Sequence, residues 1–391
     1  MNEAIVESAK RILLAVTLFV LVVGTGVAGW FVLFENNSTN SLAPRVARPQ
    51  ARKSVGFAYD VCARLAEGHA QDNFVFSPYA LEMGLLMLRS AANEGTQAQL
   101  TKILYPGATE EQAREREEGM LSLRPSLSQL GIVNRLWVQR DFDLADAYLK
   151  ASEKKFGLMP GLIEFRADVE AARLKINRWV FDRVGSVGEN FLRQGAIDSL
   201  TNFLLTSVAN FDAAWESQFR ADQTEPAEFK LLTATAVSVP FMHSEETLQY
   251  AERPDYKVVE VPYEGEALSM LILLPKEVNG LPRIEANLTP EFLATALGAL
   301  KPRKVALALP RFNLEKVMSL PIILNAMGMT EAFEPTRADF SKLTGRRDIY
   351  LNTVIHRSGI SVKENGVRQA DHSMAKLISD VGGRSVAFRA D

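Results

Sequence analysis

The sequence predicts an α+β fold, and three observations lead to it. Helical patterning fills the first half of the folded region, strand patterning fills the second, and no repeat of fixed period is visible. Alternating βαβ units would interleave the two patterns, so their segregation argues against a doubly wound sheet. With 47% hydrophobic and 23% charged residues, the 391-residue chain has the composition of an ordinary folded protein.

At the N-terminus, residues 12–34 carry no charge, and at about 1.5 Å rise per residue a helix of that length can cross a bilayer core. Lys10 and Arg11 precede it, which by the positive-inside rule leaves the N-terminus cytosolic and sends the rest outward. The same segment reads equally as a cleaved signal peptide, with residues 12–23 as its apolar core and Gly24, Gly26, Ala28 and Gly29 as cleavage sites. Residues 1–34 are therefore expected to be a signal peptide or a signal anchor. Both place the folded part outside the cytosol, either secreted or held at a membrane. Residues 35–53 are polar and basic with Pro44 and Pro49, as expected of a linker. Asn36, Asn37 and Asn287 each open an N-x-S/T sequon and are candidate glycan sites.

Residues 54–391 form the expected domain. Helices are predicted over 52–67, 79–92, 110–121 and 169–184. In 79–88 the apolar residues recur at helical spacing and also in blocks, which suits a helix buried on several sides. Strands are predicted over 235–241, 257–261, 268–274, 305–309 and 353–362.

The chemistry-bearing residues argue against catalysis. The histidines are His69, His243, His356 and His372, with no H-E-x-x-H and no paired cysteine ligands, so no metal site is expected. There is no G-x-S-x-G elbow and no phosphate-binding loop, so the chain reads as no enzyme and requires no cofactor. Cys62 is the single cysteine; on its apolar-flanked helix it reads as a packed, inert thiol. A net charge of −3 gives no reason to expect nucleic acid or another polyanion as partner.

A series of motifs runs through the chain in a fixed order. Asn73-Phe74-Val75-Phe76-Ser77-Pro78 comes first, followed by Gly95-Thr96 with Gln99-Leu100, VNRLWV from Val133, INRWV from Ile176, and Phe211 with Trp215. VPYEGEALSMLILLP from Val261, LPRFNLE from Leu309, MGMTEAF from Met327 and ADFSKL from Ala338 continue it. An extended run over 349–363 then leads through Glu364-Asn365-Gly366 into a small and polar tract ending at Phe388-Arg389-Ala390-Asp391. In content and order these segments resemble the serpins, which trap proteases.

The resemblance implies helices packed around a large, mainly antiparallel sheet with two smaller sheets and an exposed reactive-centre loop near the C-terminus. It also implies an inhibitor of serine or cysteine endopeptidases that acts as a suicide substrate, the target protease being the partner. With Gly366 at the hinge glycine, family spacing sets the reactive bond at Asp380-Val381, with Lys376 and Arg384 as alternative cleavage points. The hinge comprises Glu364, Gly366, Val367, Gln369 and Asp371. The region where the sheet opens comprises Ser77, Pro78, Ser207, Trp215 and His356, with Ala80 and Ser207 standing where the family carries other polar residues. The segment with Glu110, Glu111, Glu115, Glu117 and Glu118 is acidic where heparin-activated members are basic, so heparin is not expected to bind.

Two departures favour other readings. Strand alternation sends Val367, Gln369 and Asp371 to one face, and family members keep small residues there, which favours a non-inhibitory binding protein or chaperone. Family members also continue through H-P-F into two central strands of another sheet, whereas this sequence stops at Asp391. A truncated, inactive member is the corresponding expectation.

Overall fold

The computed structural model describes residues 19–24, 32–34, 56–68, 73–123, 130–185, 190–230, 236–265, 268–368 and 389–390. The chain enters through β1 (Phe19–Gly24) and β2 (Val32–Phe34), then α1 (Phe57–Gly68), β3 (Phe74–Phe76) and α2 (Pro78–Ala91). Next come α3 (Glu94–Leu104), α4 (Glu110–Leu123), β4 (Leu130–Gln139), α5 (Asp146–Phe156), β5 (Gly161–Ile163), α6 (Val169–Val184) and β6 (Phe203–Phe211). Strands then dominate: β7 (Glu225–Lys230), β8 (Ala236–Glu252), β9 (Tyr256–Pro262) and β10 (Leu268–Pro275). The chain continues through α7 (Leu281–Asn287), α8 (Pro290–Gly298), β11 (Lys301–Pro310), β12 (Phe312–Ser319), α9 (Pro321–Ala326) and α10 (Ser341–Thr344). It closes with β13 (Thr353–Lys363), β14 (Gly366–Arg368) and β15 (Arg389–Ala390).

Among the described residues one sheet runs β12-β13-β6-β4-β5, with β14 added to β13. A second runs β1-β10-β9-β8-β11-β15, with β7 added to β8, and β2 pairs β3 separately. Most pairings are antiparallel, but β13 lies parallel to β6, with Thr353 opposite Leu204 and Gly359 opposite Asn210.

Strand alternation divides β6 between two cores. Phe203, Leu205 and Ala209 join the main core with α2, while Leu204 and Val208 join a second core with Ile176 and Val180 of α6. Buried on both faces, β6 and β13 are nearly continuous runs of inaccessible residues, as central strands must be. The N-termini of α2 and α6 are fixed by capping. Ser77 accepts the Ala80 N–H at 3.2 Å, and Asp168 accepts that of Ala171 at 2.8 Å. Pro78 follows at the first helical position, where its missing N–H costs nothing.

The strands predicted over 257–261, 268–274, 305–309 and 353–362 lie where expected, and Cys62 is buried. The strand predicted over 235–241 continues to Glu252, because the polar run through His243, Ser244, Glu245 and Glu246 is held by β11 and not by apolar content. Within residues 12–34 the described parts are the strands β1 and β2 rather than a helix. Apolar, largely β-branched sequence meets the edges of β10 and β3 there. Among the described residues no helix is long and apolar enough to cross a membrane.

Candidate functional site

The six-stranded sheet carries a seam between β13 and β6 that is closed below and entered above. Below, seven residue pairs run in parallel register from Thr353–Leu204 to Gly359–Asn210. Above, β13 turns through Glu364 and Asn365 and folds back on itself as β14, with Ser361 opposite Arg368, Val362 opposite Val367 and Lys363 opposite Gly366. On its other side Val367 exchanges two backbone hydrogen bonds with Ala213, each 2.8 Å. The hinge is thus seated as a strand between β13 and the continuation of β6, with Val367 fully buried.

Three features hold the hinge there. Gly366 has φ of +136°, and a Cβ at this position would lie 2.1 Å from the Ala213 carbonyl oxygen, so only glycine allows so close an approach. The Glu364 carboxylate pairs with Arg311 and accepts the Thr224 hydroxyl at 2.7 Å. Burial opposes its ionisation, yet these donors hold the carboxyl below its ordinary value. Trp215 lies beneath the turn, stacked on Tyr263 at 4.7 Å, and its indole N–H donates to the Lys363 carbonyl at 2.8 Å. Trp215 thus sits at the mouth of the seam.

Farther down the seam is a buried polar cluster centred on His356. Its register partner is Ser207, and the two side chains meet across the seam at 3.0 Å. The Ser77 backbone N–H donates to His356 Nε2 at 3.1 Å, which makes Nε2 an acceptor and sets the ring proton on Nδ1, donated to Ser207 Oγ. The Ser358 hydroxyl reaches Nε2 at 2.7 Å. Burial depresses the His356 pKa to about 3, so the ring is neutral. Pro78 starts the helix whose cap residue, Ser77, supplies the N–H.

The cluster is more complete than the sequence suggested. Ser207 takes part despite its departure from the family residue, and Ala80 contributes its backbone. The Ala80 N–H goes to Ser77 Oγ, and its carbonyl accepts Asn134 Nδ2 at 2.9 Å. Sequence reasoning missed Ser358 and Asn134. Ser358 was accessible to it, since residues two apart on a strand share a face. Asn134 is positioned only by the packing of β4 under α2.

Gln369, Asp371, Lys376, Asp380, Val381 and Arg384 lie outside the described residues, as do Asn36 and Asn37. Asn287 is exposed at the end of α7, where its amide donates to the Arg283 carbonyl at 2.7 Å. The acidic α4 is partly directed inward: Glu117 and Glu110 bind the buried Arg89 at 2.8 and 2.5 Å. After β14 the chain returns to the second sheet, where β15 pairs with β11 at Val305 and Ala306. The segment between β14 and β15 therefore links the mouth of the seam to another sheet.

The fold class is thus that of an α+β domain with a hinge strand seated in the mouth of its central parallel seam. The chain belongs to the serpin family: the family model Serpin (serine protease inhibitor) matches residues 52–391. Leukocyte elastase inhibitor A of Mus musculus is 30% identical over 325 residues, covering 80% of this chain and 86% of that protein. Ipis-1 of Ixodes persulcatus is 30% identical over 311 residues, covering 78% and 82%. Among solved structures, uncleaved ovalbumin superposes with a TM-score of 0.74 at 24% identity, covering 80% of this chain and 89% of that one. Maspin gives 0.71 at 25%, covering 83% and 88%. Serpins are in general protease inhibitors rather than catalysts.

Proposed function

We propose that this protein inhibits serine endopeptidases, and secondarily cysteine endopeptidases, as a suicide substrate through insertion of its own cleaved loop. The protease serine attacks the carbonyl of Asp380, the amine of Val381 leaves, and an ester joins protease to inhibitor. The freed strand then extends β14 down the seam, antiparallel to both β13 and β6. The observation that supports this reading best is the two-sided pairing of Val367, with Val362 of β13 and with Ala213. Each further residue would exchange a β13–β6 backbone bond for bonds to the entering strand, and the His356–Ser207 bond must part as it passes.

A second reading, a non-inhibitory binding member, is favoured by the hinge sequence. Val367 is buried, and in an inserted strand alternation would bring Gln369 and Asp371 onto the same face. A buried polar group without a partner costs about 1–3 kcal/mol, and a carboxylate more. Insertion competes with hydrolysis of the ester, so that cost converts an inhibitor into a substrate. Nicking the loop with a broadly specific protease and comparing melts separates the two readings. A large rise in melting temperature with an SDS-stable complex supports the inhibitor, and an unchanged melt with no complex rejects it.

A further inference from the structure

We propose that the apolar N-terminal segment is a structural part of the folded protein, its two strands closing sheet edges that would otherwise be open. In β1, Phe19 to Gly24 pair without interruption, antiparallel to β10, from Leu273 to Leu268. In β2, Val32 to Phe34 pair with Phe76 to Phe74 of β3. The strands they cover belong to the best-buried parts of the molecule. Met270, Leu271, Ile272 and Leu273 are fully inaccessible, and Phe74, Val75 and Phe76 are at most 1% exposed.

Among the described residues no other strand pairs with these edges of β10 and β3, so without β1 and β2 they would present a row of unpaired amides and carbonyls in an apolar setting, which water serves poorly and other chains exploit. Residues 12–34 are suited to this position. They are uncharged, and the described strands FVLVVG and VLF are rich in β-branched and apolar residues. The same features made the segment resemble a bilayer helix or a secretion signal. The two fates exclude one another for any single molecule, because the amides that bond β10 are the ones a helix would use internally.

The test uses the full chain with paired cysteines. Val22→Cys with Met270→Cys and Leu21→Cys with Leu271→Cys join direct register partners. Val22→Cys with Leu273→Cys is three residues out of register and too distant for a disulfide. We expect at least one in-register pair to oxidise in the purified protein, located by peptide mass mapping, while the control pair stays reduced. A second variant, Leu21→Pro with Val22→Pro, removes two adjacent amides, one of which must face β10. Its melting temperature is expected to fall on the order of 5 °C. Failure of both in-register pairs in a cooperatively melting chain overturns the proposal. So does an unchanged melt of the proline variant, or a mature N-terminus beyond Phe19 by terminal sequencing. None of these readouts depends on protease inhibition, so they stand apart from the functional reading.

Discussion

Two seams, one in each large sheet, are built in different ways. Between β9 and β10 the contact is antiparallel and mainly apolar, with Val258, Val259, Val261, Met270, Leu271, Ile272 and Leu273 all at most 3% exposed and a hydrogen bond from Ser269 to Glu260 crossing it. Between β13 and β6 it is parallel, and Thr206, Ser207, His356 and Ser358 are buried along it, each fully inaccessible. Opening the first exposes apolar area at about 25 cal/mol per Å², with nothing gained in return. Opening the second to an entering strand exchanges hydrogen bonds for hydrogen bonds, each worth about 1 kcal/mol net. Parallel pairing is also the weaker kind per residue. On the proposed mechanism, the sheet to be entered carries the polar, hydrogen-bonded seam, and the other large sheet does not.

The largest expected effect comes from emptying the polar seam. His356→Ala strands the Ser77 N–H and the Ser207 and Ser358 hydroxyls, so unfolding in urea should show a loss of about 3 kcal/mol or more. In the apolar seam, Ile272→Val should cost only about 1 kcal/mol. If the two sheets differ as argued, Ile272→Val also leaves the yield of protease complex unchanged whereas His356→Ala alters it.

Next is the hinge. Gly366→Val should expel β14 from the mouth, at a cost on the order of 1–3 kcal/mol, and abolish SDS-stable complex with a protease that still cuts the loop. Retained complex would mean that the seated hinge is not the starting point of insertion.

The pH dependence provides a third check. His356 is neutral in the fold with its pKa depressed to about 3, while an unfolded histidine titrates near 6.5. Between these values the unfolded state binds a proton that the folded state does not. The stability due to neutral His356 is therefore complete above about pH 6.5 and falls progressively as pH drops toward 3. Denaturant melts of wild type minus His356→Asn across this window should show that decline, and a flat difference would place the ring in contact with water.

Smaller effects fall on the periphery. Trp215→Phe loses the bond to the Lys363 carbonyl while keeping most of the stack on Tyr263, for about 1 kcal/mol in the melt. Gln369→Ala with Asp371→Ala should raise the yield of complex on gels, and an unchanged yield would remove the hinge argument for a non-inhibitory member.

The elements differ in how readily the sequence discloses them. Helix α2 was legible because apolar residues at helical spacing follow a Ser-Pro cap, and β10 because its apolar run is short and bounded. Strand β6 was not marked as a strand: Thr206, Ser207 and Asn210 break its apolar run, and their partners come from β4 and β13. Within the site, Ser77, Trp215 and His356 were legible as motif members. Asn134 and the backbone of Ala80 were not, since the carbonyl of Ala80 meets the Asn134 amide only once the helix is docked on β4.

By itself the sequence determined the α+β class and the family, because periodicity and ordered motifs are local properties. Only the tertiary structure decided that Ser207 substitutes within the His356 cluster, that Val367 already occupies the mouth of the seam, and that part of residues 12–34 pairs as strands. Each of these depends for its hydrogen bonds on a partner that is distant in the sequence. An apolar run carries no record of whether its amides will be satisfied within a helix or by an edge such as β10.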